Sequence, residues 1–222
     1  MNPLTRVIRG DGTRKTRFHT SNGHLCLNPL EILRALGTSF NRLVLKRYAR
    51  TPWLSFSAVD YLEELIPGRR VFEFGSGMST LWFAERCREV VSVESDSTWH
   101  RSMTQKTDGL RNVRLVFANS KESYLQAIAT AGDKFDLILI DGLYRKECLD
   151  LARPYLSPDG ILVVDNTDTV QALADQIRRL FNDSDVKAFR GWVPGNLHPI
   201  ETTIIQNIPS INAVNPSLNL SR

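Results

Sequence analysis

The 222-residue chain has an ordinary globular composition, with 42% hydrophobic and 23% charged residues and a net charge of +4. This composition excludes a disordered or fibrous protein and fits one domain with an extension. No apolar run approaches the roughly 18 residues of a membrane span, and residues 1–25 contain no apolar core of a signal peptide. We therefore expect a cytoplasmic protein without a membrane span.

Three cysteines are present, Cys26, Cys87 and Cys148, and their spacing is not that of a metal site. Cys87 and Cys148 fall at helical positions beside apolar residues. Buried free thiols in a reducing compartment are the simplest interpretation.

The positive charge is concentrated at the N-terminus. Residues 1–50 contain ten Lys and Arg and two acids, a net charge of +8, whereas residues 51–222 carry a net charge of −4. A basic segment can contact nucleic acid, anionic lipid or an acidic substrate, but it is more often a solvated arm. Residues 1–24 show no periodicity. We predict a flexible basic arm there and do not expect nucleic-acid binding to be the main function.

Residues 25–68 are predicted to form a helical extension. Asn28 and Pro29 are typical of an N-cap and a first helical residue. Apolar residues with helical spacing follow until Gly37 interrupts them, and a second apolar stripe over residues 54–66 predicts another helix. We expect this extension to form either a lid over the substrate or a surface for homodimerisation.

Residues 69–206 alternate short β runs with helical stretches. The β runs are rich in Val, Ile and Leu without polar alternation, which is typical of strands buried on both faces of a parallel sheet. The predicted strands cover residues 71–74, 90–94, 113–118, 136–140, 161–165, 186–191 and 201–206. The predicted helices cover residues 79–88, 98–106, 122–131, 145–156 and 170–181.

This order predicts a doubly wound α/β fold with a mostly parallel seven-stranded sheet. No long helix separates the last two strands, so the last strand is expected to be antiparallel. Residues 207–222 are rich in Asn, Ser and Pro and are predicted to be a polar tail.

The turn after the first strand, VFEFGSGMST at residues 71–80, has the form of a nucleotide-binding loop with one glycine missing. Gly75 and Gly77 allow a tight turn and a close approach of the backbone to a ligand. A dinucleotide loop would place a third glycine at Thr80. Glu73 would repel a pyrophosphate but can accept a hydrogen bond from an ammonium group. The electrostatics therefore favour a cofactor with a positively charged amino-acid end.

Glu94 ends the second strand, 21 residues after Glu73. An acid at this place can accept hydrogen bonds from both ribose hydroxyls of an adenosine, although a surface acid at a strand end is the simpler alternative. The motif Glu73-Phe74-Gly75-Ser76-Gly77 followed by Glu94 is similar to that of the class I S-adenosylmethionine-dependent methyltransferases. The resemblance covers residues 55–206.

The resemblance implies a Rossmann-like methyltransferase fold with S-adenosyl-L-methionine as cofactor. The cofactor-binding residues that it implies are Glu73, Gly75, Ser76, Gly77, Ser79, Glu94, Ser95, Asn119, Ser120 and Asp141. Asn119 and Ser120 stand where the family contacts adenine. Trp99 either covers the adenine face or packs in the core.

The ends of the fourth and fifth predicted strands carry Asp141, Asp165 and Asn166. These residues resemble the metal triad of catechol-type O-methyltransferases, which implies Mg²⁺ acting on the pKa of a substrate hydroxyl. The alternative is that they cap a helix and form a turn. A metal-free enzyme would use Asp141 or His198 as the general base.

Five residues are candidate substrate contacts: Tyr144, Arg145, Trp192, His198 and Glu201. The last three belong to the stretch at residues 191–203, which is rich in Gly, Pro and Asn and should lie over the cofactor end of the sheet.

The methyl acceptor is expected to be a hydroxyl, or a carboxyl, of a small molecule such as a sugar, a polyketide or a phenolic metabolite. The sequence IDGLYR at residues 140–145 stands where amino-methylating enzymes have an NPPY-type motif. Three alternatives remain: an RNA methyltransferase that docks through its basic arm, a non-catalytic module that binds the cofactor or a nucleoside, and an NAD(P) oxidoreductase. The missing third glycine and the lack of a Tyr-x-x-x-Lys pair argue against the last.

Overall fold

A computed structural model describes residues 12–169 and 171–209, apart from the side chain of residue 171. The strands are β1 (Arg70–Phe74), β2 (Glu89–Glu94), β3 (Val113–Phe117), β4 (Phe135–Ile140), β5 (Leu156–Asp165), β6 (Asp185–Trp192) and β7 (Pro199–Gln206). The helices are α1 (Pro29–Leu43), α2 (Phe56–Leu65), α3 (Met78–Ala84), α4 (Ser97–Lys106), α5 (Lys121–Thr130), α6 (Arg145–Ala152) and α7 (Gln171–Leu180). No helix within this described part is long and apolar enough to cross a membrane.

The seven strands form one sheet in the order β3-β2-β1-β4-β5-β7-β6. Strands β1 to β5 pair in parallel, and β7 runs antiparallel to both β5 and β6. This confirms the predicted doubly wound sheet with its antiparallel end. The strand order reverses between β1 and β4, and ligands bind beyond the carboxyl ends of the strands at such a switch point.

Each face of the sheet buries its own apolar core, which explains the unbroken apolar runs of the strands. In β1, Phe72 and Phe74 point to a core shared with Leu149 of α6, whereas Val71 points to a core shared with Leu62 of α2. Strands covered on both faces have no solvent side and therefore no polar alternation.

Two predicted boundaries near β5 were wrong. The helix predicted to reach residue 156 ends at Ala152 and is followed by a short 3₁₀ turn over Arg153–Tyr155. Pro154 lacks the backbone N–H that a longer helix would use. Strand β5 begins directly after this turn and is longer than predicted.

The first helix begins as predicted but is not interrupted at Gly37. The side chain of Asn28 accepts hydrogen bonds from the backbone N–H groups of Leu30 and Glu31, which caps α1. The helix continues through Gly37, and it accommodates the polar side chain of Thr38, whose hydroxyl donates to the carbonyl of Arg34 at 2.8 Å.

The described half of the basic arm is anchored to the domain. Thr20 is fully buried, the N–H of Ser21 donates to Asp168 at 2.7 Å, and Phe18 packs edge-on against Trp192. These contacts hold the segment around residues 18–21 against the domain, where a loose arm was predicted. Residues 1–11 of that arm and residues 210–222 of the predicted tail lie outside the described residues.

Candidate active site

A cavity of about 890 Å³ opens at the carboxyl ends of β1, β2, β4 and β5. Its floor comes from the turns that follow these strands, and its roof from the segment before α2 and from the β6–β7 connection. The lining residues are Trp53, Gly75, Ser76, Gly77, Met78, Ser79, Glu94, Ser95, Asp96, Trp99, Asn119, Tyr124, Asp141, Gly142, Leu143, Tyr144, Arg145, Asp165, Asn166, Val193, Asn196, His198 and Ile200.

The two glycines of the β1 turn serve different purposes. Gly75 has a φ of +99°, and a Cβ there would lie 2.8 Å from the Cα of Gly142, at the end of β4. Only glycine permits this backbone conformation and this approach of the two strand ends. Gly77 has an extended φ, and a Cβ on it would meet only the Ser79 hydroxyl at 3.5 Å. Its missing side chain keeps space open on the cavity side of the turn.

Glu73 does not line the cavity, which corrects its predicted role as a contact of the cofactor's ammonium group. The side chain is fully buried and accepts hydrogen bonds from three hydroxyl groups: those of Ser79, of Thr80 at 2.5 Å and of Ser92 at 2.8 Å. Burial raises the pKa of Glu73 to about 7, and the three hydroxyl groups oppose this increase. Glu73 therefore stabilises the glycine turn from the side that faces the protein interior, away from the cavity.

Thr80 stands where a dinucleotide loop would have its third glycine, and its side chain forms two hydrogen bonds that stabilise the turn. Its hydroxyl donates to Glu73 and accepts from the N–H of Gly77 at 3.0 Å. The start of α3 and the turn before it are thus tied to the same buried carboxyl group. A glycine at position 80 could not make this connection.

Glu94 lies at the end of β2, where the resemblance placed the ribose contact, and it lines the cavity. One carboxylate oxygen accepts from the N–H groups of Ser95 and Asp96, at 2.7 and 2.8 Å. The other accepts from the N–H and the hydroxyl of Ser76, at 3.2 and 3.0 Å. A carboxylate offers about four acceptor positions. A ribose hydroxyl would therefore displace the only one of these donors that rotates freely, the Ser76 hydroxyl.

Of the two residues predicted to contact adenine, one lines the cavity and the other does not. Asn119 lines the cavity, whereas Ser120 caps α5, is exposed and lies outside the lining. Trp99 lines the cavity, and its indole N–H donates to the carbonyl of Ser76 at 2.7 Å. Trp99 therefore supports the glycine turn and also offers its ring to the cavity.

The three oxygen-bearing side chains predicted to hold Mg²⁺ surround the guanidinium group of Arg145. Nη2 of Arg145 donates to Asp141 Oδ1 at 3.0 Å, and Nη1 donates to Asn166 Oδ1 at 3.1 Å. Nη1 also lies 3.9 Å from Asp165 Oδ2. No group of three or more His, Cys, Asp and Glu within residues 12–169 and 171–209 is arranged to hold a metal ion. The residues do not fit the predicted metal triad, because a cationic side chain already occupies the centre of it.

Asp141 and Asp165 both lie next to the Arg145 guanidinium, but their carboxyl groups differ in pKa and in burial. Burial raises the pKa of both carboxyl groups, and Arg145 lowers it. The Asp141 carboxylate raises the pKa of Asp165 further, to well above its usual range. Asp165 is almost fully buried and accepts from the Thr202 hydroxyl at 2.7 Å, whereas about a quarter of the Asp141 side chain is exposed, 23%. Asp141 is thus the member of the pair that can face a ligand.

Two of the predicted substrate contacts do not reach the cavity. Trp192 is buried against Phe18, and its indole N–H donates to the carbonyl of Cys26 at 3.1 Å. Glu201 is buried and forms an ion pair with Arg190 at 2.6 Å. Both predictions were wrong because β6 and β7 pair up to their ends, so the open loop is shorter than expected.

The other predicted substrate contacts, Tyr144, Arg145 and His198, do line the cavity. Tyr144 has a left-handed backbone with a φ of +52°, a conformation that is uncommon for a bulky residue and that often marks a functional turn.

Tyr124 and Trp53 line the cavity but were not singled out in the sequence. Tyr124 projects from α5, with its ring 5.7 Å from that of Phe74. Trp53 belongs to the helical extension, and the guanidinium of Arg42 lies 4.7 Å from its ring. Nothing in the local sequence of either residue indicates a site. Only the packing of α5 and of the extension brings them to the cavity.

The switch-point cavity, the glycine turn fixed by an acid and the second acid at the end of β2 together define a class I adenosylmethionine-binding fold. Residues 72–167 match a family model described as a methyltransferase domain. Residues 72–167 therefore carry a methyltransferase domain, and solved methyltransferases share its fold. No curated protein sequence matches it.

Solved structures show the same fold at low sequence identity. An rRNA methylase from Streptococcus thermophilus is 13% identical, with a TM-score of 0.52 over 68% of this chain and 93% of that chain. A precorrin-6y C5,15-methyltransferase from Geobacter metallireducens GS-15 is 14% identical, with a TM-score of 0.53 over 68% and 86%. The N-methyltransferase NodS from Bradyrhizobium japonicum WM9 is 12% identical, with a TM-score of 0.52 over 69% and 94%.

Proposed function

We propose that this methyltransferase transfers the methyl group of S-adenosylmethionine to a hydroxyl group of a small molecule, with Asp141 as the general base. The observation that carries this proposal is the position of the Asp141 carboxylate. Asp141 lines the cavity beyond the end of β4, its backbone lies against Gly75, and Arg145 donates to one oxygen of its carboxylate. S-adenosylmethionine supplies an activated methyl group, so the protein has to align the acceptor and remove its proton.

The charge of the cavity supports a small acceptor over RNA. Four carboxyl groups line it, those of Glu94, Asp96, Asp141 and Asp165, against the single guanidinium of Arg145. A polyanion would be repelled from such a surface, since nucleic-acid binding depends on cations that neutralise phosphates. The same charge argues against a carboxylate acceptor and is compatible with a neutral hydroxyl.

The roof of the cavity supports the same acceptor class. Trp53, Val193, Asn196 and His198 cover the site from outside the sheet. A volume of about 890 Å³ lies in the upper part of the range for small-molecule and cofactor sites. It suits a cofactor together with a compact acceptor.

The predicted Mg²⁺ has no role in this proposal. Arg145 brings a fixed positive charge to the oxygens of Asp141, Asp165 and Asn166. It favours the ionised form of Asp141, because it lowers the pKa that burial raises. A base must be deprotonated to act, so the rate should rise with pH through the pKa of Asp141. His198 is the second candidate for the base.

An amine of a small molecule is a second candidate acceptor, and one observation favours it. The same four carboxyl groups that would repel RNA would attract an ammonium group. The cytoplasmic location stays a proposal, supported by three buried free thiols that suit a reducing compartment.

The test compares the wild type with Asp141→Asn and with the matched surface variant Asp108→Asn. Turnover would be measured with panels of hydroxyl and amine acceptors, with short RNAs, and with and without a chelator. Calorimetry with S-adenosylhomocysteine would report the cofactor site separately. We expect turnover on a hydroxyl acceptor that is insensitive to chelation. Asp141→Asn should lower kcat by at least about 100-fold, and Asp108→Asn should leave it unchanged.

Four results would contradict this proposal. A preference for RNA would overturn the acceptor class, and a loss of activity on chelation that Mg²⁺ restores would overturn the role of Arg145. An undiminished rate in Asp141→Asn would move the base to His198. If the wild type failed to bind S-adenosylhomocysteine, the cofactor assignment itself would fail.

A further inference from the structure

The first helix of the extension, α1, turns its apolar face away from the domain. Five large apolar residues on its outer side are between 50% and 66% exposed: Leu30, Leu33, Leu36, Phe40 and Leu43. At 3.6 residues per turn they share one stripe about 140° wide. A stripe of this kind normally faces the core of its own domain, and here it faces outwards.

The inner side of α1 is held by small and polar residues. Only Glu31, Ala35 and Ser39 are buried in the helix. Glu31 accepts from the N–H of Trp192 at 3.0 Å, and Arg42 donates to the carbonyl of Gly195 at 2.9 Å. These specific contacts fix which side of the helix faces the domain. The exposed stripe is therefore a consequence of how α1 is docked, not of a loosely attached helix.

Gly37 lies within this stripe, in the middle of the helix. No contact or backbone conformation within the described part of one copy of the chain requires a glycine there. Its φ is not positive, and a Cβ there would meet nothing within 4 Å. A glycine in this position destabilises a helix relative to alanine. It does allow another helix to approach closely, which would explain its presence next to Leu36.

We propose that α1 pairs with α1 of a second copy of this chain, antiparallel, about a two-fold axis between residues 36 and 37. Each residue then lies opposite the one equally far from the axis. Leu30 meets Leu43 of the second copy, Leu33 meets Phe40, and Leu36 lies over Gly37. Each of the five exposed side chains then contacts an apolar residue of the second copy, and Leu36 packs against Gly37. A two-fold interface requires this kind of self-complementarity.

The area of the face is what a stable dimer needs. Val44, Leu27 and Leu45 lie just beyond the two ends of α1 and are also exposed by about half, 47% to 59%. Burying such a side chain removes on the order of 100 Å² from water. The eight side chains together offer on the order of 800 Å², the area that each partner contributes to a standard interface. Single copies of proteins rarely expose apolar patches this large.

The charges favour the antiparallel arrangement over a parallel one. Beside the stripe, Arg34 is neutralised by a two-pronged ion pair with Asp60, at 2.6 and 2.9 Å. The exposed cations Lys46 and Arg47 follow the C-terminal end of α1. In an antiparallel pair these ends lie about 20 Å apart, beyond a Debye length of about 8 Å. A parallel pair would place the four cations side by side.

The first measurement is sedimentation velocity on the full chain over a range of concentrations. We expect a dimer at micromolar concentration. Leu36→Glu should raise the concentration needed for dimerisation by at least about 30-fold. The matched control is Leu110→Glu, which changes an exposed leucine away from the helix and should leave the dimer intact. Both substitutions lie on the surface, and circular dichroism verifies that the variants fold.

The second measurement tests the direction of the pair by disulfide formation. Leu33→Cys and Phe40→Cys, mixed after separate preparation, should cross-link to each other. Leu33→Cys alone should not cross-link, because its two copies lie about 10 Å apart along the axis, further than a disulfide spans. The native cysteines are buried and should contribute no background.

Several outcomes would overturn the proposal. A monomer at high micromolar concentration would do so, as would a dimer that survives Leu36→Glu. Efficient cross-linking of Leu33→Cys with itself would indicate a parallel pair. A monomer that binds anionic phosphatidylserine vesicles through the same leucines would assign the face to a membrane surface.

Discussion

Glu73 makes a sharp prediction about stability, because its carboxyl group is fully buried without a cationic partner among its hydrogen bonds. Burial raises its pKa from 4.5 to about 7, so the folded state holds this proton more tightly than the unfolded state does. The stability that the proton provides is complete below pH 4.5 and is lost as the pH rises through 7. A difference of this size corresponds to about 3.4 kcal/mol in total, of which about 2.5 kcal/mol is lost between pH 5 and pH 8.

The perturbation is Glu73→Gln, which keeps the shape of the side chain and removes its titration. Urea unfolding followed by circular dichroism at pH 5, 6, 7 and 8 gives the free energy of unfolding of each protein. Relative to the variant, the wild type should lose about 2.5 kcal/mol across this range. The matched control is Glu64→Gln, at an exposed position, and it should follow the wild type. Parallel curves for the wild type and Glu73→Gln would refute the argument.

The same variant separates the two roles considered for Glu73. If Glu73 only fixes the glycine turn from behind, Glu73→Gln should weaken S-adenosylhomocysteine binding by less than about 10-fold, because the amide still reaches the three hydroxyl groups. If Glu73 contacts the ammonium group of the cofactor directly, the lost charge should cost about 100-fold or more. Calorimetry at pH 8, where the carboxyl group is ionised, distinguishes the two.

Three further predictions concern the cavity. Gly75→Ala should destabilise the fold by about 3 kcal/mol or more and abolish cofactor binding; Gly68→Ala, which also has a positive φ but open space around its Cβ, should cost only about 1 kcal/mol in the same urea titration. In Arg145→Ala the three oxygens lose their shared cation, so millimolar Mg²⁺ should raise the melting temperature of that variant and not of the wild type. Ser76→Ala removes the hydroxyl that competes with ribose for Glu94, so calorimetry should show cofactor affinity unchanged or increased by up to about 10-fold.

The fold could be predicted from the sequence because the strands at the centre of the sheet are covered on both sides. Residues 136–140 and 161–165 read as unbroken apolar runs, and the structure places them next to each other at the centre of the sheet. The glycine turn was equally predictable, since the positive φ of Gly75 and its contact with the end of β4 leave no other residue type.

The roles of the charged residues could not be predicted, because one spacing fits several sets of partners. Glu73 was interpreted as a ligand contact, but Ser92 lies beside it on β2 and supplies a hydroxyl within the sheet. Asp141 and Asp165 looked like metal ligands until Arg145, four residues after Asp141, was found between them. Arg145 is the first residue of α6, and the turn between β4 and this helix brings it back to Asp141.

The identity of the methyl acceptor could not be predicted from the sequence either. The family match spans residues 72–167 and contains the glycine turn, Glu94 and the Asp141–Asp165 pair. Four side chains of the roof lie outside this span: Trp53, Val193, Asn196 and His198. The cofactor end is therefore built from residues within the span of the family match, and the roof at the acceptor end from residues outside it.

Helix α1 connects this roof to the proposed dimer. Arg42 donates to the side chain of Asn196 at 3.0 Å and lies over the ring of Trp53, and both of these residues line the cavity. The outer side of the same helix carries the apolar stripe. Pairing of two copies would hold α1 in place and thereby restrict the roof, so a monomeric variant such as Leu36→Glu should show a higher KM for the acceptor. Its affinity for S-adenosylhomocysteine should stay unchanged, because α1 contributes no residue to the cofactor end; a loss of cofactor affinity in a folded monomer would contradict this division of the site.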